Sequence, residues 1–165
     1  MEFDKDITLL ADNLLEAARQ RGLLIATAES CTGGLLSAAL TSIAGSSDVI
    51  DRAFVTYTNE AKQQMLGVNA KSLDRYGAVS EVVVKEMAYG ALANSMADLS
   101  LSISGIAGPS GGTKDKPVGT VYFGVSQLGE TPRAEKRSFG DLGRNEIRRQ
   151  AVLVALSLML DSIVS

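Results

Sequence analysis

The sequence predicts a single α/β domain over residues 1–165, a three-layer sandwich whose central sheet is mixed, mostly parallel and flanked by helices. Three observations predict it. First, Leu23-Leu24-Ile25-Ala26 and Leu99-Ser100-Leu101-Ser102-Ile103 are short strand-like runs, and each leads into a glycine-rich stretch. Second, residues 118–127 and 133–139 are extended runs joined by Leu128-Gly129-Glu130-Thr131-Pro132, a hairpin connection that breaks strict strand–helix alternation. Third, a chain of 165 residues is the size of one domain and buries about 70% of the surface its unfolded form exposes, so it needs no metal or disulfide to fold.

Ile7, Leu10, Leu14, Ala17 and Ala18 recur at helical spacing, with Asp6 as N-cap and Gly22 as the residue that ends the helix. The first strand then enters Thr27-Ala28-Glu29-Ser30-Cys31-Thr32-Gly33-Gly34. Leu35, Leu36, Ala39, Leu40 and Ile43 continue from it as a second helix ending near Gly45. Ser46-Ser47-Asp48 reads as a polar cap or loop that can also reach a ligand. Residues 53–58 are rich in aromatic and β-branched side chains and read as the second strand, and Asn59 caps the helix that follows.

A connector over residues 67–79 leaves room for a short helix. Ser80 then caps a helix with Val84, Met87, Ala88, Ala91 and Leu92 on one face. The third strand, residues 99–103, alternates apolar with small polar residues, a pattern that suits a strand covered on both faces. It runs into Ser104-Gly105-Ile106-Ala107-Gly108-Pro109-Ser110-Gly111-Gly112, a long loop at a strand's carboxyl end, where ligands collect in open α/β sheets. The last helix runs from Arg144 to about Val164 and is too apolar after Gln150 for a solvated face. It is expected in the core or against a second copy of the chain, giving a homodimer. Arg144, Arg148 and Arg149 cluster at its start, where they either meet an anion or pair with Glu135, Asp141 and Glu146.

Sixteen basic and nineteen acidic residues are interspersed, so no basic field recommends a long nucleic-acid partner. No apolar run approaches the ~18 residues of a membrane span. The single cysteine, Cys31, and an acidic amphipathic N-terminus where a signal peptide would be basic and then apolar point to the cytoplasm. There is no histidine. A Ser-His-Asp triad and a Cys-His pair are thereby excluded, no metal site is expected, and a nucleophile must use lysine, a carboxylate or a tyrosine relay as its base. The turn at 27–34 holds a serine, a cysteine and a carboxylate side by side. Its glycines admit a ligand to the backbone, and the helix amides after it suit an oxyanion or a phosphate.

Together, the stretches Thr27–Gly34, Val55-Thr56-Tyr57 with Asn59-Glu60-Ala61-Lys62, Gly77-Ala78-Val79-Ser80, and Ser104–Pro109 with Gly111-Gly112 resemble the C-terminal CinA domain family. The resemblance covers nearly the whole chain in order. Family members of known activity are nicotinamide-nucleotide amidohydrolases; many carry an additional N-terminal domain, and the chain resembles the stand-alone form.

The resemblance implies deamidation of nicotinamide mononucleotide without cofactor or metal, with Ser30 as nucleophile and Tyr57 and Lys62 as the other catalytic residues. Lys62 would take the serine proton directly or through Tyr57. The expected substrate-binding residues are Glu29, Thr32, Gly33, Gly34, Ser46, Asn59, Ser104, Gly105, Ile106, Ala107 and Gly108. A lysine that is neutral near pH 7 must lose roughly 4 kcal/mol of preference for its charged form, and a helix N-terminus supplies at most about 2. Lys62 must therefore also be desolvated and kept from a close ion pair with Glu29 or Glu60. Two readings compete with this one: a non-catalytic nucleotide-binding module, and an amidase for another small amide. A thiol enzyme built on Cys31 would lack a histidine partner.

Overall fold

The computed structural model describes residues 3–165. Five strands form one sheet in the order β2-β1-β3-β4-β5, with β1 (Ile25–Glu29) flanked in parallel by β2 (Ile50–Val55) and β3 (Leu99–Gly105). The expected hairpin supplies β4 (Thr120–Gln127) and β5 (Arg133–Ser138), and both of its pairings are antiparallel. The sheet is therefore mixed, with its parallel part around β1.

Helices cover both faces. α1 (Lys5–Gln20), α2 (Leu35–Thr41) and α6 (Arg144–Val164) form one layer, and Leu99, Leu101 and Ile103 of β3 pack into the core beneath it. α5 (Glu81–Ala93) lies on the other face beside α3 (Asn59–Leu66) and α4 (Ala70–Tyr76), the short helix expected within the connector.

The alternation of β3 now has a cause. Its apolar residues face the α6 layer, while Ser100 and Ser102 let α5 come close and donate to the Ala88 and Val84 carbonyls at 2.6 Å each. Gly124 on the neighbouring strand completes this shallow floor, since a Cβ there would lie 2.1 Å from the Val84 carbonyl oxygen. In α6, Ile147, Ala151, Val152, Ala155, Leu156, Met159 and Ile163 are buried within the chain, so the core accounts for most of its apolar character. Leu153, Val154, Leu158 and Leu160 remain half-buried.

Several boundaries differ from the sequence reading. Asp4, rather than Asp6, caps α1: its backbone is extended and its carboxylate accepts the Ile7 amide at 3.0 Å. Gly22 does end that helix, and Leu23 beyond it donates back to the Ala18 carbonyl. β1 begins and ends later than expected, so Thr27, Ala28 and Glu29 are strand residues. β2 lies earlier, at Ile50–Val55, because it is held in register with β1 and stops where β1 stops. Thr58, not Asn59, caps α3 through its hydroxyl, which accepts the Ala61 amide at 3.0 Å.

Gly124→Ala should cost at least 1–3 kcal/mol, because backbone must move to admit the new methyl. Urea denaturation reads this directly; an unchanged midpoint would mean that α5 is not held against the sheet by this contact.

Candidate active site

Three parallel strands end together, and this places the chemistry. Glu29 is opposite Val55 on one side and Ile103 on the other. The next residues continue the ladder: Ser30 donates its amide to the Ile103 carbonyl at 3.0 Å, and Thr56 donates to the Glu29 carbonyl at 2.8 Å. Ser30, Thr56 and Ser104 thus stand near one another at the carboxyl edge of the sheet, where the chain leaves β1 through α2 on one face and β2 through α3, α4 and α5 on the other.

Lys62 enters from α3. It is the fourth residue of that helix, its amide bonds the Thr58 carbonyl, and its stem turns back toward the helix start as helical side chains do. Nζ lies 3.0 Å from Ser30 Oγ and donates to the Thr56 carbonyl at 2.8 Å. The side chain is only 1% exposed. Among the described residues no carboxylate lies within 4.0 Å of its amine; Glu29 and Glu60 both leave it unpaired. Burial accordingly pushes the Lys62 pKa below its ordinary value, with the neighbouring Cys31 acting weakly in the opposite sense. Burial also drives the Cys31 thiol up to about 11, so at neutral pH it is a packed thiol rather than a nucleophile.

A cavity of about 250 Å³ opens above this pair. Of the expected residues, Ser30, Tyr57, Asn59, Lys62, Ser104, Gly105, Ile106, Ala107 and Gly108 line it. Tyr57 stands at the mouth, 60% exposed, and its hydroxyl accepts from Arg144 Nη2 at 3.1 Å. Lys62 contacts Ser30 directly, so of the two proton routes left open by the sequence the direct one is already assembled.

Five expected residues are not in the lining. Glu29 is fully buried, and its carboxylate accepts the amides of Gly34, Leu36 and Ser37 as well as the Ser37 hydroxyl. It caps α2 from the strand, where Gly34 at φ +94° has no side chain to do so. The Gly33 amide closes a turn onto the Ser30 carbonyl. Thr32 is buried and gives its carbonyl to Arg148 Nη2 at 2.9 Å. The α2 amides expected to meet an anion are therefore occupied by the protein itself. Ser46 opens a 3-10 turn at the start of β2, far along the strand from the cavity, beside Arg19, which bonds the Gly45 carbonyl.

Arg144, Ala78, Val79, Ser110 and Gly111 also line the cavity without having been singled out as substrate contacts. For Arg144 the signal was its place in the arginine cluster. The cluster divides: Arg149 pairs with Asp4, Asp6 and Glu146, whereas Arg144 and Arg148 bond main-chain carbonyls and have no carboxylate partner among the described residues. Those residues hold no group of three or more acidic, cysteine or histidine side chains able to bind a metal, and no helix long and apolar enough to cross a membrane.

The CinA C-terminal domain profile matches residues 7–163, nearly the whole chain and the whole site. The chain belongs to this family. It is 48% identical over 157 residues to nicotinamide-nucleotide amidohydrolase PncC of Escherichia coli K12, covering 94% of each chain. It is 47% identical to the protein of the same name from Enterobacter agglomerans, covering 95% of each. Among solved structures, the competence/damage inducible protein CihA of Agrobacterium tumefaciens superposes with a TM-score of 0.96 at 45% identity, over 100% of this chain and 99% of that one.

The lowered pKa of Lys62 has a thermodynamic signature. Between that value and the ~10.4 of an unfolded lysine, the unfolded chain binds a proton that the folded chain does not, so this lysine's contribution to stability improves as pH rises. Lys62→Met removes the ionisable group. Its melting temperature relative to wild type should fall as pH is raised from about 7 to about 10; a difference that stays constant would mean Lys62 titrates normally in the folded protein.

Proposed function

We propose that the chain hydrolyses nicotinamide mononucleotide to nicotinate mononucleotide and ammonia, with Ser30 as nucleophile and Lys62 as base. The observation that carries the proposal is the contact at 3.0 Å between Ser30 Oγ and a buried lysine amine that has no ion-pair partner among the described residues. The names of the relatives that match at 47–48% identity support the substrate.

Ser30 Oγ attacks the carboxamide carbon and its proton passes to the neutral Lys62 amine, which stays oriented by the Thr56 carbonyl. The Cys31 amide, whose residue lines the cavity and which donates to no carbonyl among the described residues, is a candidate donor for the resulting oxyanion. Collapse breaks the carbon–nitrogen bond, and Lys62 returns the proton to the departing nitrogen, which leaves as ammonia. Water then gives a proton to Lys62 and attacks the ester on Ser30. The carbon–oxygen bond breaks, Ser30 Oγ recovers its proton from Lys62, and the carboxylate product leaves. The Ser104 hydroxyl and Asn59 amide, both on the cavity wall, have no side-chain partner among the described residues and are available to hold the substrate.

The route needs no cofactor or metal. Tyr57 acts at the mouth, steadied by Arg144, and supports binding rather than relaying the proton. The single buried cysteine fits a cytoplasmic enzyme. The half-buried Leu153, Val154 and Leu158 support α6 as the face on which two copies pair; light scattering at micromolar concentration should give the mass of a dimer, and a monomer would contradict the pairing.

Ammonia release measured with nicotinamide mononucleotide, free nicotinamide, glutamine and asparagine tests the function. Release should be confined to the mononucleotide, and Ser30→Ala should abolish it while keeping the fold. Lys62→Arg, which retains the charge but does not surrender the proton, should be nearly as inactive as Lys62→Ala. Binding without ammonia release from any of these substrates would identify a nucleotide-binding module instead, and substantial turnover by the arginine variant would move the base elsewhere.

A further inference from the structure

We infer that Arg144 is the residue that recognises the phosphate of the substrate and so separates the mononucleotide from the phosphate-free nucleoside. The inference rests on the proposed substrate and concerns the exposed part of the cavity lining rather than the buried Ser30–Lys62 pair. A phosphate bound here must find donors that the protein has not already used. The α2 amides are excluded, because the Glu29 carboxylate accepts three of them and would itself repel an anion. Arg149 is paired with carboxylates, Arg148 is turned to the Thr32 carbonyl outside the lining, and Lys62 is buried against Ser30.

Arg144 remains. It lines the cavity, it is exposed, and among the described residues no carboxylate lies within ion-pair distance of it. Nη1 donates to the Gly108 carbonyl at 2.9 Å and Nη2 to the Tyr57 hydroxyl at 3.1 Å. These two bonds fix the plane of the guanidinium across the mouth and use two of its five N–H donors, leaving three for an incoming anion. Arg144 is also the first residue of a helix that no side chain caps among the described residues. A cation there is unfavourable with respect to the helix dipole unless an anion joins it, and a phosphate would satisfy the guanidinium and the uncapped helix end together. The cavity, with the reacting pair at its floor and this arginine at its rim, therefore matches a ligand whose carboxamide and phosphate lie at opposite ends.

The test separates binding from turnover. Calorimetric titration of the Ser30→Ala protein should show the mononucleotide binding about 10- to 100-fold more tightly than the nucleoside lacking phosphate, the range expected for a charge-assisted fork contact. Adding Arg144→Gln should erase most of that ratio by weakening the mononucleotide alone, and Arg144→Lys should restore part of it. Equal weakening of both ligands would show that Arg144 only holds Tyr57 and the Gly108 loop in place, and an unchanged ratio would put the phosphate elsewhere; either result overturns the inference. Because the readout is affinity, discrimination of this kind in the Ser30→Ala protein together with no ammonia release by the wild-type chain would refute the proposed reaction and leave the phosphate assignment standing.

Discussion

A lysine amine held out of water, touching one serine hydroxyl and one main-chain carbonyl, is the constraint on which the arrangement depends. Desolvation penalises the ammonium form, and a single carboxylate beside it would reverse that bias. Glu29 is the nearest test of this. It sits directly before Ser30 in sequence, yet its oxygens are committed to the α2 amides and the Ser37 hydroxyl. The same carboxylate that satisfies the helix start is thus kept from pairing with Lys62. Glu60, on the first turn of α3, is exposed and likewise leaves Lys62 alone.

The sheet makes this geometry repeatable. Ladder hydrogen bonds from Ser30 to Ile103 and from Thr56 to Glu29 tie the first residues beyond the strands to the strands themselves, so Ser30 and the carbonyl that holds the Lys62 amine belong to the rigid part of the fold. The close approach of α5 on one face and the filled α6 layer on the other keep those strand ends in register. The rest of the cavity lining comes from the connections: the loop after β3, the segment before α5 and the first residue of α6. Stability and chemistry are assigned to different parts of the chain.

Local pattern made much of this legible. Strand, glycine turn and helix follow one another at 25–41, Ser80 precedes an apolar helical face, and the run from Thr120 to Gln127 is recognisably extended, although Val118 and Gly119 before it form a turn. The absence of histidine leaves lysine among the few available bases, and the pKa a lysine base requires implies that Lys62 is buried away from Glu29 and Glu60. What was not legible is which way side chains and amides point. Glu29, Thr32, Gly33 and Gly34 lie beside the nucleophile in sequence but serve the α2 start, a choice made by strand register and by the φ of Gly34. Ser46 follows a helix that ends at the other end of the sheet. Arg144 reaches the cavity across 87 residues from Tyr57, and no local spacing encodes such a contact.

The central claim is that Lys62 is biased toward its neutral form by burial. Site-resolved NMR titration of side-chain-labelled lysines in the free protein measures this without assuming any substrate. The account predicts that the Lys62 resonance titrates clearly below those of the exposed lysines, and that Glu29→Gln leaves it nearly where it was. A Lys62 midpoint together with the others near 10.4 would contradict it, because the amine would then be charged at neutral pH and unfit for the proposed role of base.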